Sequence, residues 1–162
     1  MTQKHSTFYI NERRASASAE LSHLLKKCVS RADRVWEEIV FLCIGSDRIT
    51  GDSLGPLVGH QLSKYHWSHI RIYGTLDYPA HALNLEATLA RIKMRHPSAL
   101  LIAVDASLGA KKHVGFISVG NGSICPGAGV KKILPAVGDI FITGILNPSG
   151  TFEHFLLQTT PL

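Results

Sequence analysis

Four aspartates lie at points of this sequence where an apolar segment ends. Asp47 and Asp52 lie in CIGSDRITGDSLGP, residues 43–56, Asp77 lies in GTLDYPAH, and Asp105 follows the apolar run ALLIAV. Two carboxylates that lie close together repel, so one pKa rises and the pair can share a proton. Such a pair can activate water with one member and protonate a leaving group with the other. The aspartates therefore predict a site of acid–base chemistry.

The segment 43–56 has the outline of a phosphate-binding loop but not its residues. A P-loop has four residues between its glycines, followed by Lys-Ser or Lys-Thr. Here Gly45 and Gly51 bracket five residues, and Asp52-Ser53 stands where the lysine pair would be. A carboxylate at that place would repel phosphate, so the loop presents an acid instead.

Each of these aspartates also has a purely structural interpretation. Asp52 could cap the helix that follows it, and Asp77 before Tyr-Pro could form a turn. Asp105 is harder to explain in this way, because a carboxylate at the end of an apolar strand needs a buried partner or a crevice. Both interpretations stay open from the sequence, and a capping role for Asp52 does not exclude chemistry.

Histidines beside the aspartates raise the alternative of a metal site. His81 and His113 each fall in a loop at the carboxyl end of a predicted strand, where a histidine could join two acids as a ligand. The three cysteines, Cys28, Cys43 and Cys125, share no metal-ligand spacing. We expect no metal and no other cofactor, because most surface histidines bind none.

The elements that must position these residues alternate along the chain. The apolar patterns predict strands at 39–44, 69–73, 99–104, 115–119 and 139–145, and helices at 17–28, 54–65 and 82–95. This alternation predicts an α/β fold, a three-layer sandwich with a mostly parallel sheet covered by helices on both faces. Ligands of such sheets bind beyond the carboxyl ends of the strands. Asp52 and Asp105 would share one crevice if their strands are neighbours.

The length and composition predict a single domain. The chain has 162 residues, of which 45% are hydrophobic and 18% charged, enough to bury a core. We expect residues 1–16 to form a polar arm and residues 17–162 to form one α/β domain. Residues 152–157 begin an apolar pattern that then stops, which would leave the domain without a closing C-terminal helix.

The charge pattern bounds the partners and the location. The net charge is +5, and the basic residues come in short pairs rather than in one long block. That pattern is typical of a solvated cationic surface and argues against nucleic acid, whereas an acidic protein substrate would suit it. No signal peptide and no run long enough to span a bilayer are visible. We therefore expect a cytoplasmic protein without a membrane partner.

The loop between the last two predicted strands is unusually apolar. It contains Ile124, Val130, Ile133, Leu134 and Val137, which would form an exposed patch unless something covers them. Exposed apolar patches commonly mark interfaces, so we expect a homo-oligomer. The alternative is that these side chains fold back onto the domain's own sheet.

Five ordered motifs carry a resemblance to a known family. They are CIGSDRITGDSLGPLVG, GTLDYPAHALNLE, VDASLG, ICPGAGVKK and LPAVGDIFITGILN. On these motifs the sequence resembles the YyaC-type sporulation proteins of endospore-forming bacteria, and the resemblance covers residues 39 to about 157. That family is similar in fold to the spore germination protease and, more distantly, to the hydrogenase-maturation endopeptidases.

The resemblance implies which residues act. The two aspartates implicated in the germination protease correspond to Asp52 and Asp105. In the maturation endopeptidases, acids at these two positions bind nickel together with a histidine, and no histidine here matches theirs. The resemblance also places the protein in the forespore or spore core.

These observations lead to one main hypothesis and two alternatives. The main hypothesis is a spore-associated endopeptidase-like hydrolase that cleaves a protein or peptide, acidic or of the spore, with Asp52 and Asp105 as its catalytic pair. We expect substrate-binding or supporting roles for Asp47, Ser53, Asp77 and His81. One alternative is a non-catalytic spore binding or scaffold protein that retains the protease fold. The other is a metal-binding maturation-type factor that uses the same acids with His81 or His113.

Overall fold

A computed structural model describes residues 6–48, 50–127 and 133–148 of the chain. Its strands are β1 (Thr7–Asn11), β2 (Glu38–Cys43), β3 (Ile70–Tyr73), β4 (Ala99–Gly109), β5 (Phe116–Asn121) and β6 (Ile140–Pro148). Its α-helices are α1 (Ala17–Ser30), α2 (Leu54–Leu62) and α3 (Leu85–Arg95), and short 3-10 turns cover Thr50–Asp52 and Lys111–His113. The predicted α/β class is therefore confirmed.

The strands form one mixed sheet in the order β1-β5-β6-β4-β2-β3. The four strands β3, β2, β4 and β6 run parallel to one another. Strand β5 runs antiparallel to β6, and β1 runs antiparallel to β5. The carboxyl ends of the four parallel strands consequently lie at one edge of the sheet, where a crevice can form.

Two apolar clusters pack on opposite faces of the sheet. Along β2, Val40 and Leu42 belong to one cluster, and the alternating neighbours Ile39 and Phe41 pack against the other. Helix α3 contributes to the first cluster and α1 to the second. The near-continuous apolar run of this strand follows from burial on both faces.

The predicted polar arm contributes a strand to the sheet. Within residues 1–16, the segment 7–11 forms β1 and pairs along its whole length with β5. Its Ile10 is buried in the second cluster, whereas Tyr9 is 47% exposed. A five-residue edge strand with one fully buried side chain gives too weak an apolar signal to stand out among polar neighbours. The domain therefore extends in front of residue 17.

The apolar loop between β5 and β6 folds back onto the sheet. Leu134 and Val137 are buried in the first cluster, and Ile124 packs against it. Ile124 and Val137 exchange two backbone hydrogen bonds of 2.9 and 2.8 Å. For these three residues the alternative, in which the loop folds back and covers the domain's own core, is therefore what the structure shows. Ile133 is 95% exposed, and Val130 lies outside the described residues.

The C-terminal boundary of the prediction is not covered by the structure. Residues 152–157, and with them the question of a closing helix, lie outside the described residues. In the part of the chain that is described, no helix has the length and apolar character needed to cross a membrane.

Candidate functional site

The two strands that carry the aspartates are neighbours in the sheet. Strands β2 and β4 pair in parallel, with Cys43 opposite Val104. The register continues one step further, because the Ile44 N–H donates to the Val104 carbonyl at 2.7 Å. The chain that leaves β2 toward Asp52 therefore starts directly beside Asp105.

The loop after β2 folds back over a glycine. Gly45 has a φ of 144°, and a Cβ at this position would lie 2.0 Å from the carbonyl oxygen of Asp52. The Ser46 N–H donates to that same carbonyl at 3.0 Å, which closes the loop. Only glycine fits where backbone approaches backbone so closely. The second end of the loop is thereby held against the carboxyl end of β2.

Helix α2 fixes the position of Asp52 from the other side. A Cβ on Gly55 would lie 2.0 Å from the Ile44 carbonyl oxygen, and one on Gly59 would lie 1.9 Å from the Gly74 carbonyl oxygen. The helix backbone therefore lies directly on the sheet backbone. Asp52 stands three residues before Gly55 in this rigid connection, so its location depends on the glycines of the following helix.

The structure brings Asp52 and Asp105 into electrostatic contact. Asp105 is only 6% exposed and shares a sheet face with Ala103, two residues before it. Burial raises the pKa of Asp105 well above its ordinary value, and the negative charge of Asp52 raises it further. Burial also raises the pKa of Asp52, to about 6, although a backbone hydrogen bond from Ser46 lowers it in part.

The different environments give the two carboxyls different protonation states. Near neutral pH, Asp52 is mostly ionised, because its pKa is about 6, whereas deep burial and the charge of Asp52 favour the protonated form of Asp105. One group is then a base and the other an acid within the same site. Titratable groups whose pKa values are pushed apart in this way are suited to proton transfer in both directions.

The structure does not place Asp52 at the helix cap. The N-cap residue of α2 is Ser53, whose side chain makes no capping hydrogen bond, and Asp52 precedes it in the 3-10 turn. Ser53, which follows Asp52 in the sequence, is buried, with 3% of its surface exposed. The structural interpretation of Asp52 as a helix N-cap is therefore not what is observed.

The other predicted supporting residues lie away from the pair. Asp47 is exposed on the turn after β2. Asp77 and His81 line a cavity of about 490 Å³ beside β3, whose lining includes neither Asp52 nor Asp105. His81 is half-buried, and its Nδ1 accepts a hydrogen bond of 3.2 Å from the Leu83 N–H.

Three hydroxyl residues next to Asp105 escaped the sequence analysis. Thr143 on β6 lies opposite Asp105 in the register, so both side chains share one face. Ser107 donates a hydrogen bond of 3.0 Å to the Thr143 hydroxyl, and Ser118 on β5 forms a short hydrogen bond with the same hydroxyl. The sequence signal was the polar residues within the apolar strands, but the predicted strand stopped before Asp105, whereas β4 continues to Gly109.

The two histidines proposed as ligands, His81 and His113, do not form a ligand set with the aspartates. The ring of His113 stacks on Tyr9 at a centroid distance of 3.9 Å, on the β1 side of the sheet. Within residues 6–48, 50–127 and 133–148, no group of three or more His, Cys, Asp or Glu side chains could hold a metal ion. Among the described residues, the site thus consists of the two acids and the neighbouring hydroxyl groups.

The fold and the site together define an α/β protein with a buried aspartate pair at the carboxyl edge of its parallel strands. The chain belongs to the family described as a protein of unknown function, DUF1256, whose model matches residues 9–162. It is 43% identical over 161 residues to the uncharacterized protein YyaC of Bacillus subtilis (strain 168), an alignment that covers 99% of this chain and 78% of the relative. The predicted YyaC-type family is therefore confirmed.

Proposed function

We propose that this protein is a spore-associated endopeptidase-like hydrolase in which Asp52 and Asp105 activate water for peptide cleavage. The observation that carries the proposal is the burial and electrostatic coupling of these two carboxyls at the carboxyl ends of neighbouring strands. Burying two acids together costs stability, and strongly shifted pKa values cluster at functional sites.

The proposed reaction follows from the two protonation states. Ionised Asp52 accepts a proton from a water molecule, whose oxygen attacks the carbonyl carbon of the scissile peptide bond. Protonated Asp105 then gives its proton to the leaving nitrogen as the carbon–nitrogen bond breaks. A proton transfer from Asp52 to Asp105 restores the starting state, so the pair ends each cycle unchanged.

The neighbouring hydroxyls support a polar substrate. Ser107, Thr143 and Ser118 form a hydrogen-bonded row beside Asp105 across β4, β6 and β5, in which Thr143 and Ser118 are buried. A peptide bond needs donors and acceptors on both of its sides, and a buried, hydrogen-bonded hydroxyl group can supply them without reorganisation. The proposed substrate is a protein or peptide, either acidic or a component of the spore.

The finer parts of the proposal rest on the resemblance of the five motifs. These parts are a three-layer sandwich like that of the germination protease, a place in the cytoplasm of the forespore or in the spore core, and a homo-oligomeric state. The packing of α1 and α3 on opposite faces of the sheet supports the first of these.

A second candidate function is a binding protein that keeps the acid pair without turnover. The observation in its favour is the 6% exposure of Asp105, because a substrate must reach this carboxyl for it to act as an acid. In that case the pair would recognise a spore protein rather than cleave it.

Proteolysis of forespore proteins separates the two candidates. We expect the wild type to cleave at least one protein. Asp52→Asn and Asp105→Asn should cleave it at least about 100-fold more slowly, as for loss of a general acid or base. Asp33→Asn, an exposed acid in the turn before β2, is the matched control and should behave like the wild type. Equal cleavage by Asp52→Asn would contradict the pair mechanism. No cleavage by the wild type would favour the binding protein.

A further inference from the structure

The cavity beside β3 adjoins the loop that carries the aspartate pair. It has a volume of about 490 Å³ and lies between β3, residues 74–81 and α3. The wall formed by residues 74–81 is joined to the β2 loop, because the Gly45 N–H donates to the Ala80 carbonyl at 2.8 Å and Ile44 bridges to Ala80. The cavity and the β2 loop therefore share one wall, which is the segment 74–81.

A single arginine supplies the positive charge of this cavity. Arg91, on α3, lines it, and the guanidinium lies over the ring of Tyr73 at 5.8 Å from the centroid. Among the described residues, no carboxylate forms an ion pair with Arg91. Its five N–H donors are therefore available to a ligand, while its flat face is already held by the ring.

The ring beneath Arg91 is itself held in place. The Tyr73 hydroxyl is hydrogen-bonded to His96 Nε2 at 2.9 Å, and His96 Nδ1 is hydrogen-bonded to Glu38 at 2.7 Å. The Tyr73 and His96 rings also meet edge to face. This row of contacts fixes the surface on which the guanidinium lies, so less side-chain freedom is lost when a ligand binds.

Other polar side chains of the cavity are already hydrogen-bonded within the protein. Asn84 donates to the Pro79 carbonyl at 2.9 Å, and Thr88 donates to the Asn84 carbonyl at 2.9 Å. Asp77 and Arg91 are both exposed, so water screens both charges, and of the two only Arg91 offers N–H donors to a carboxylate. The guanidinium of Arg91 is thus the charged donor group that a ligand meets inside the cavity.

We propose that this cavity binds a carboxylate group of a peptide, from an acidic side chain or from a C-terminus, and orients the peptide toward Asp52 and Asp105. A guanidinium binds a carboxylate through two parallel hydrogen bonds, which fixes both position and orientation. Strand β3 ends the sheet, and no strand of the described residues pairs with its outer edge, although the Arg71 guanidinium donates to the Ile70 carbonyl at 3.3 Å. The inference rests on the proposed peptide substrate and assigns that substrate a recognition group.

Binding to the Asp52→Asn protein tests the subsite apart from cleavage. Three alanine pentapeptides serve as probes. Two are blocked at both ends and have a central glutamate or a central glutamine, and the third has a central glutamine, a blocked N-terminus and a free C-terminal carboxylate. Titration followed by NMR gives the dissociation constants. We expect the glutamate peptide, the free-carboxylate peptide or both to bind about tenfold more tightly than the neutral peptide.

Two arginine variants assign the preference to the cavity. Arg91→Gln should remove the tenfold preference, whereas Arg95→Gln, an exposed arginine one turn further along α3, should retain it. Equal affinity for the three peptides, no measurable binding of any, or an unchanged preference in Arg91→Gln would each overturn the inference. A preference that depends on Arg91 in a protein whose wild type cleaves nothing would uphold the subsite and reject the hydrolase. Cleavage by the wild type without such a preference would uphold the hydrolase and reject the subsite.

Discussion

At the scale of single residues, Asp52 and Asp105 show how different degrees of burial give two chemically identical carboxyl groups different pKa values. Asp52 is half-buried and has a pKa of about 6, whereas the more deeply buried Asp105 has a pKa raised well above its ordinary value. In each case the folded protein favours the protonated form. The folded state therefore carries a free-energy cost at neutral pH that it does not carry in acid.

This cost predicts a pH-dependent gain in stability when Asp52 is neutralised. The pKa of Asp52 rises from 3.8 to about 6 on folding, so its stabilising contribution is complete below about pH 4 and is lost as the pH rises through about 6. We expect Asp52→Asn to raise the free energy of unfolding by about 2 kcal/mol at about pH 7.5, after allowance for partial exposure, and to change it little at about pH 4. Denaturant unfolding at the two pH values measures the difference.

The exposed Asp33 is the control for this measurement. Asp33→Asn should show no comparable gain at either pH, because its carboxyl lies in water in the folded protein. If Asp52→Asn were no more stable than the wild type at the higher pH, the conclusion that burial raises the pKa of Asp52 would be wrong.

The aspartates were visible in the sequence because charged residues at the ends of apolar runs are unusual. The hydroxyl residues were not, because serine and threonine within a strand are ordinary and carry no charge to mark them. Thr143 becomes informative only when the register places it opposite Asp105. The position of Arg91 over Tyr73 is likewise set by the packing of α3 on β3, which no local pattern reports.

At the scale of elements, the site depends on how closely α2 lies on the sheet. Gly55 and Gly59 allow the helix backbone to approach the carbonyl groups of Ile44 and Gly74. The interior of a helix ordinarily favours alanine over glycine by about 1 kcal/mol. These glycines are therefore explained by the close approach and not by helix propensity.

A methyl group at Gly55 should disrupt this contact. We expect Gly55→Ala to lower the free energy of unfolding by about 3 kcal/mol, because its Cβ would lie 2.0 Å from a backbone oxygen that has no freedom to move away. Gln61→Ala, at an exposed position of the same helix, should change it by less than about 0.5 kcal/mol. Chemical denaturation of both variants makes the comparison. A Gly55→Ala protein as stable as the wild type would show that the helix is free to shift on the sheet.

Most elements could be predicted because their apolar patterns follow the strand and helix periods. Strands β2 and β4 begin within a residue of their predicted starts, since both are buried on two faces. Strand β1 was missed because it is short and lies at the edge. The loop that contains Leu134 and Val137 was misjudged, because an apolar loop that covers its own core has the same composition as one that covers a partner.

At the scale of the whole molecule, the self-covering loop removes part of the reason to expect an oligomer. Leu134 and Val137 are buried within the chain itself, whereas Ile133, next to them in the same loop, is 95% exposed. A homo-oligomer therefore stays a proposal, and Ile133 is the residue of this loop through which it can be tested.

Light scattering at dilute and concentrated protein tests the oligomer. We expect the mass of two chains for the wild type and of one chain for Ile133→Glu, because a buried unpaired charge would oppose association. Val35→Glu changes an equally exposed apolar residue before β2 and should leave the dimer intact. A single-chain mass for the wild type at every concentration would reject self-association.

Carbon-13 NMR titration of their carboxyl groups shows whether Asp52 and Asp105 form one coupled pair. We expect Asp52 to titrate near pH 6 and Asp105 well above its ordinary value, and we expect Asp52→Asn to lower the pKa of Asp105 by removing the neighbouring charge. Asp33→Asn, as the control, should leave the pKa of Asp105 unchanged. Titration of both aspartates near their ordinary value of 3.8, with Asp105 indifferent to Asp52→Asn, would contradict it.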